Sequence, residues 1–158
     1  MNPHQILLFA FLIGVISGLR SMTAPAVTAW GAHLNWLKLH GTPLHFMASI
    51  VAVVILTLLA AAELVADKLP STPSRLAPTG LIARIVLGGF SGACVAAAGM
   101  QSIALGVVLG AAGGIAGAYA GHALRVGLTK ALKVPDFVVA LLGDAVAIGG
   151  GLLIVSRF

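Results

Sequence analysis

From residue 102 to residue 121 the chain carries no Asp, Glu, Lys, Arg or His. A helix rises about 1.5 Å per residue, so such a stretch presents roughly 30 Å of apolar surface, the thickness of a bilayer's hydrocarbon. Lipid cannot satisfy an open backbone N–H or C=O, so a segment of this kind spans as a helix or as part of a closed barrel. The period-two alternation of a barrel strand is absent. Similar apolar runs cover 45–66, 81–98 and 136–155, and a longer one covers 5–33 with an interruption between Arg20 and Pro25. The segments between them are rich in breakers: "DKLPSTPSRLAPTG" holds Pro70, Pro73 and Pro78, which forbid a continuous helix. The expectation is an all-α, polytopic transmembrane helical bundle, a single domain over residues 1–158, with about five spans and a broken first helix. If the first run folds instead as two short helices, the segments number six.

Composition agrees with this class. The chain is 59% hydrophobic and 8% charged, with a mean hydropathy of +1.10, against about a quarter charged in soluble domains. That excludes a dissolved monomer. A net charge of +5 would suggest nucleic acid as a partner of a soluble protein. Here the basic residues gather at the ends of apolar runs, where they set topology, so no nucleic acid is expected. Membrane lipids are the expected partners, with anionic headgroups near the basic ends. Lys68, Arg75, Arg84, Arg125, Lys130 and Lys133 flank the segments 67–80 and 123–135, whereas Lys38 and Arg157 fall on the other side. The first side should be cytoplasmic. With five spans the amino terminus shares it; with six the amino terminus lies opposite. "MNPHQ" has no Lys or Arg and no convincing small-x-small cleavage site follows, so the first run is expected to be a retained helix. The lone Cys94, in an apolar run, is expected to be a buried, reduced thiol.

The first run contains "GLRSMTAPAV", which sets Arg20, Ser21, Thr23 and Pro25 where apolar side chains belong. Pro25 removes a helical hydrogen bond and crowds the carbonyl of Ser21. Ser21 or Thr23 is suited to cap a helix restarting near Ala24. A restarted helix directs free N–H groups toward the break, and Arg20 adds a full positive charge there. Such a place suits a carboxylate or phosphate of a ligand. It equally suits a carboxylate of the chain itself. Asp144 lies eight residues after Asp136, about 12 Å into the last run and near the depth of Arg20. Either charge alone would be expensive in hydrocarbon, so a pair is expected. Asp136 follows Pro135 and reads as a helix cap. Glu63 and Asp67 lie four apart in "ELVADKLP" and share a helix face. Lys68, Arg75, Arg20, a cation or a shared proton must offset them. Arg20, Ser21, Thr23, Glu63, Asp67, Lys68 and Asp144 form the candidate ligand or ion path, with buried struts as the competing reading.

Glycines at 106, 110 and 114, and at 113, 117 and 121, form two strips of small residues spaced by four. Gly106, Gly110, Gly114, Gly113, Gly117 and Gly121 are therefore expected to let a neighbouring helix approach closely, within the chain or between copies. Short glycine-rich helices also make a homo-oligomer an expectation. His33, His40 and His45 surround an interfacial loop with Trp30 and Trp36, and His122 reads as a helix-end group. No His or Cys spacing suggests a metal. No catalytic motif and no cofactor motif is present, so an enzyme is not expected.

The blocks "GLRSMTAPAVTAW", "ELVADKLPSTPSR" and "ALLGDAVAIGGG" resemble a small bacterial membrane-protein family that carries no assigned function. The resemblance runs over nearly the whole chain. It implies a multi-pass protein of the bacterial inner membrane and lends weight to Arg20, Glu63, Asp67, Lys68 and Pro70, but it transfers no activity. The sequence expectation is a small transporter or channel for an ion or anionic solute; the alternative is a scaffold whose charges are struts.

Overall fold

The computed structural model describes residues 1–69, 71, 74 and 76–158; the expectations that fall on Pro70, Pro73 and Arg75 lie outside the described residues. The described chain forms α1 (Pro3–Leu19), α2 (Thr23–His33), a 3-10 turn (His45–Ala48), α3 (Ile50–Ala66), α4 (Pro78–Ala98), α5 (Ile103–Leu132) and α6 (Asp136–Val155), with no strand among the described residues. Helices α4, α5 and α6 are long and apolar enough to cross a membrane, while α1 and α3 are shorter apolar helices. Local chemistry starts the elements. Pro3 and Pro78 occupy first turns, where a missing N–H costs nothing. The hydroxyls of Ser49 and Ser102 accept from the N–H groups of Ala52 and Leu105.

Side-chain and backbone neighbours give the directions of the helices. Phe9 packs on Phe158, Ile16 approaches Gly150, and Arg20 meets Asp144, so α1 runs antiparallel to α6. Val27 meets Gly151 and Gly31 meets Val155, so α2 runs parallel to α6. Helices α1 and α2 therefore run in opposite directions and form a hairpin whose tip is Arg20–Met22. The long first run is not one interrupted span. Lipid-compatible composition is the same in both arrangements; the extended backbone at Arg20 (φ −145°, ψ 109°) is what turns the chain. The amino terminus, the Gly99–Ser102 turn and the carboxyl terminus consequently lie at one end. The hairpin tip, the end of α3, the start of α4 and the α5–α6 connection lie at the other.

Helices α1, α4 and α5 make a tight trio. Gly106, Gly110 and Gly114 lie against the backbone of α4, and Gly113 and Gly117 against that of α1. A Cβ on Gly114 would stand 2.6 Å from the carbonyl oxygen of Arg84, and one on Gly88 2.6 Å from that of Gly110. Only a hydrogen fits there. Gly121 is buried as well. The other half is looser. Helix α3 has one buried residue, Val53, and packs mainly on α2 and the 3-10 turn.

Helix α5 continues to Leu132, beyond the end of its apolar run near residue 122. His122 is therefore within the helix rather than at its end. The extra turns hold Arg125 and Lys130 and project past the hairpin tip. Charges end an apolar run in the sequence, but they do not by themselves end a helix.

Candidate functional site

The hairpin tip gathers charges from four helices. Arg20 closes α1, its N–H donating to the carbonyl of Ile16 at 2.8 Å. Its side chain is fully buried, with the guanidinium between the carboxylates of Asp67 and Asp144. The Nζ of Lys68 donates to Asp144 Oδ2 at 2.6 Å and to the carbonyl of Leu64 at 2.9 Å. Two cations thus meet two carboxylates, and the Arg20–Asp144 pair read from matching depths is present. Asp67 joins the same guanidinium, which the spacing did not single out.

Glu63 has a different task. Its Oε2 accepts the N–H of Met22 at 2.8 Å, and its Oε1 accepts the N–H of Ser21 at 2.8 Å together with the Ser21 hydroxyl. The carboxylate sits on the positive start of α2 and satisfies donors a helix leaves open. Neither Ser21 nor Thr23 caps this helix by its side chain, contrary to expectation; Met22 is the cap residue and Glu63, reaching from α3, supplies the acceptor. The repulsion expected between Glu63 and Asp67 is relieved by separate partners.

Arg84 is a site residue that the sequence reading treated only as a topology marker. It is 6% exposed, and its Nε and Nη1 each donate at 3.0 Å, to the carbonyls of Gly18 and Gly80. The Ser17 hydroxyl donates to the Arg84 carbonyl at 3.1 Å. The open carbonyls at the end of α1 are thus tied to the start of α4. An arginine inside the apolar run "GLIARIVLGG" was the available signal, the same kind that marked Arg20.

Between the tip and the projecting ends of α5 and α6 lies a cleft of about 770 Å³. Ser21, Glu63 and Asp67 line it from the tip side, Thr79, Gly80 and Arg84 come from α4, and His122, Arg125 and Lys130 from α5. Asp136 lines it as well. It is the first residue of α6, not the cap, and its carboxylate takes a two-pronged contact from Arg125, with Nε at 2.7 Å. All four acids of the chain thus lie in this cleft or in the ion cluster behind it. Each is matched by a cation or by N–H donors. The ammonium of exposed Lys130 has no such partner among the described residues. The cleft reaches the break at Ser21, while Arg20 itself is sealed behind Asp67 and does not line it.

Thr23 stands apart from the cleft. It is 3% exposed and lines a second, apolar groove of about 400 Å³ between α2, α3 and α6. The histidines of the opposite end have local roles: His33 Nδ1 lies 2.9 Å from the carbonyl of Ala48, and the rings of His40 and His45 are 4.7 Å apart. Among the described residues, no three His, Cys, Asp or Glu side chains are grouped to hold a metal.

Apolar helices around a buried ion cluster define a helical protein of membrane type. The chain belongs to the DUF4126 family, described as a domain of unknown function, whose family model matches residues 7–156. No curated protein and no solved structure matches it.

Proposed function

We propose that the protein is a small carrier of the membrane, not an enzyme, and that its cleft takes up a small anionic group at the tip of the α1–α2 hairpin. One observation carries the reading: a cleft of about 770 Å³ runs to the helix break, and its acids are already answered while Lys130 is not. Arg84 and His122 stand on the same walls. The basic side chains of Lys130, His122 and Arg84 on its walls favour a carboxylate or phosphate there over a cation. The basic residues of the tip end, set against Lys38 and Arg157 at the other, support the reading that this end faces the cytoplasm of a multi-pass bacterial inner-membrane protein.

The test is flux of labelled glycerol phosphate into proteoliposomes. Protein-dependent uptake should fall about tenfold in Lys130→Glu, the loss of one charge-assisted contact. Uptake no greater than in empty vesicles would end the reading.

The sealed Arg20 favours a second reading, in which the ion cluster is a strut and the protein a scaffold. Under it, Arg20→Ala lowers thermal stability in detergent, and no solute crosses even with the native protein.

A further inference from the structure

The polar cleft and the apolar groove share α3 as a wall. Glu63 and Asp67 line the cleft, while Ala60, Ala61 and Leu64 line the groove. From Thr23, beside the hairpin tip, the groove follows α2 to Trp30, about 10 Å at helical rise. Ile148 and Leu152 of α6 form its other side, and the Trp30 indole N–H donates to the Thr57 hydroxyl at 3.0 Å. The groove is therefore directed away from the charged end and into the apolar part of the bundle. One polar atom in it is unexplained. Thr23 is almost wholly buried, and its Oγ1 has no hydrogen-bond partner among the described residues. A threonine hydroxyl ordinarily finds an acceptor when buried.

We propose that the two cavities together hold one anionic phospholipid, with the phosphate beside Lys130 and His122 and one acyl chain along the α2–α3–α6 groove. This rests on the reading of the cleft as an anion site and names the class of anion. The orientation suits a lipid of the leaflet at the tip end: the head lies at the charged end, the chain points toward the bilayer centre, and the Thr23 hydroxyl is within the buried stretch where ester oxygens pass. Charge selects the head, because the Lys130 ammonium, without a partner among the described residues, is positive and a zwitterionic head offers it less. A plain lipid-facing surface has neither a concavity nor a buried hydroxyl awaiting a partner.

Trp30 lines the groove and supplies the readout. The full chain carrying Trp36→Phe, leaving Trp30 as the single tryptophan, is reconstituted in phosphatidylcholine bilayers. Phosphatidylglycerol or phosphatidylcholine with dibrominated chains is then added as the minor component. Bromine quenches an indole only at contact. Half-quenching of Trp30 should need about five-fold less phosphatidylglycerol than phosphatidylcholine, the advantage one basic contact gives an anionic lipid. Lys130→Glu should erase the preference, and Ala61→Phe, which fills the groove from an exposed position, should reduce quenching by both lipids. Ala62→Phe, exposed on the same helix and outside the groove, should leave the curves unchanged. Equal quenching by the two lipids in the Trp36→Phe protein, or an Ala61→Phe protein that quenches as before, overturns the proposal. Equilibrium dialysis of labelled glycerol phosphate separates the two readings. If it binds and Lys130→Glu abolishes binding while the lipids show no preference, the anion cleft stands and the lipid does not. If neither binds, both fall.

Discussion

The α1–α4–α5 trio and the α2–α3–α6 half are joined at one hairpin tip, yet different forces hold them. In the trio, glycine backbones meet with no side chain between them. Lipid offers no hydrophobic drive for helices to associate, so close van der Waals contact and backbone proximity supply the attraction. In the other half α3 buries a single residue, and its carboxyl end is anchored by Glu63, Asp67 and Lys68. The first kind of contact tolerates no added atom. The second tolerates changes of shape but not of charge. A site that must admit a ligand is better built on the second, because ion pairs at a cleft can exchange partners where interlocked backbones cannot.

The largest effect should come from the trio. Gly110→Val places branched carbon inside the contact with Gly88, and α4 must move away. The loss should exceed about 3 kcal/mol, the upper end for ordinary overpacking, and little folded protein should survive extraction. A variant that melts within a few degrees of the native protein would show that the glycine contact is not what holds the trio. Next, Asp144→Ala strips a carboxylate from both Arg20 and Lys68. Breaking such a buried pair should lower stability by about 3 kcal/mol, near the low end because Asp67 still faces Arg20. Thermal unfolding in detergent reads it, and a wild-type midpoint would remove the cluster as the anchor of this half.

Glu63→Gln keeps the shape and one acceptor at the start of α2 but loses the charge. The expected loss is about 1 to 2 kcal/mol. Hydrogen exchange should locate it at Ser21 and Met22, and uniform exchange along the chain would refute the assignment. Asp136→Asn, at the half-exposed pair with Arg125, should cost under about 1 kcal/mol, and less at high salt. The smallest change is a gain. Gly143 has nothing within 4 Å of where a Cβ would stand, so Gly143→Ala on α6 should add about 0.5 to 1 kcal/mol. A loss there would mean that Gly143 is also a contact glycine, as Gly150 and Gly151 are.

The class of the protein and most of its helices were legible from apolar runs. The runs at 81–98 and 136–155 correspond closely to α4 and α6. The Arg20–Asp144 pair was legible because two opposite charges at one depth have no cheaper solution. The partners of Glu63 were not, since a carboxylate capping a helix from a distant segment leaves no local pattern. Arg84, Arg125 and Lys130 were read as markers of topology, and a basic residue that orients a chain looks the same as one that lines a cleft.

By itself, then, the sequence determined that helices form, where apolar surface must be covered, and which glycines let helices approach, because length, hydropathy and side-chain size act locally. Tertiary structure alone decided that the first run turns back on itself at Arg20. It also decided that Glu63 caps α2 and that Asp67 shares the guanidinium with Asp144. Those outcomes depend on which distant segments arrive at the tip, and the strength of a charge contact in an apolar interior is set by what lies within a few ångströms, whatever the separation along the chain.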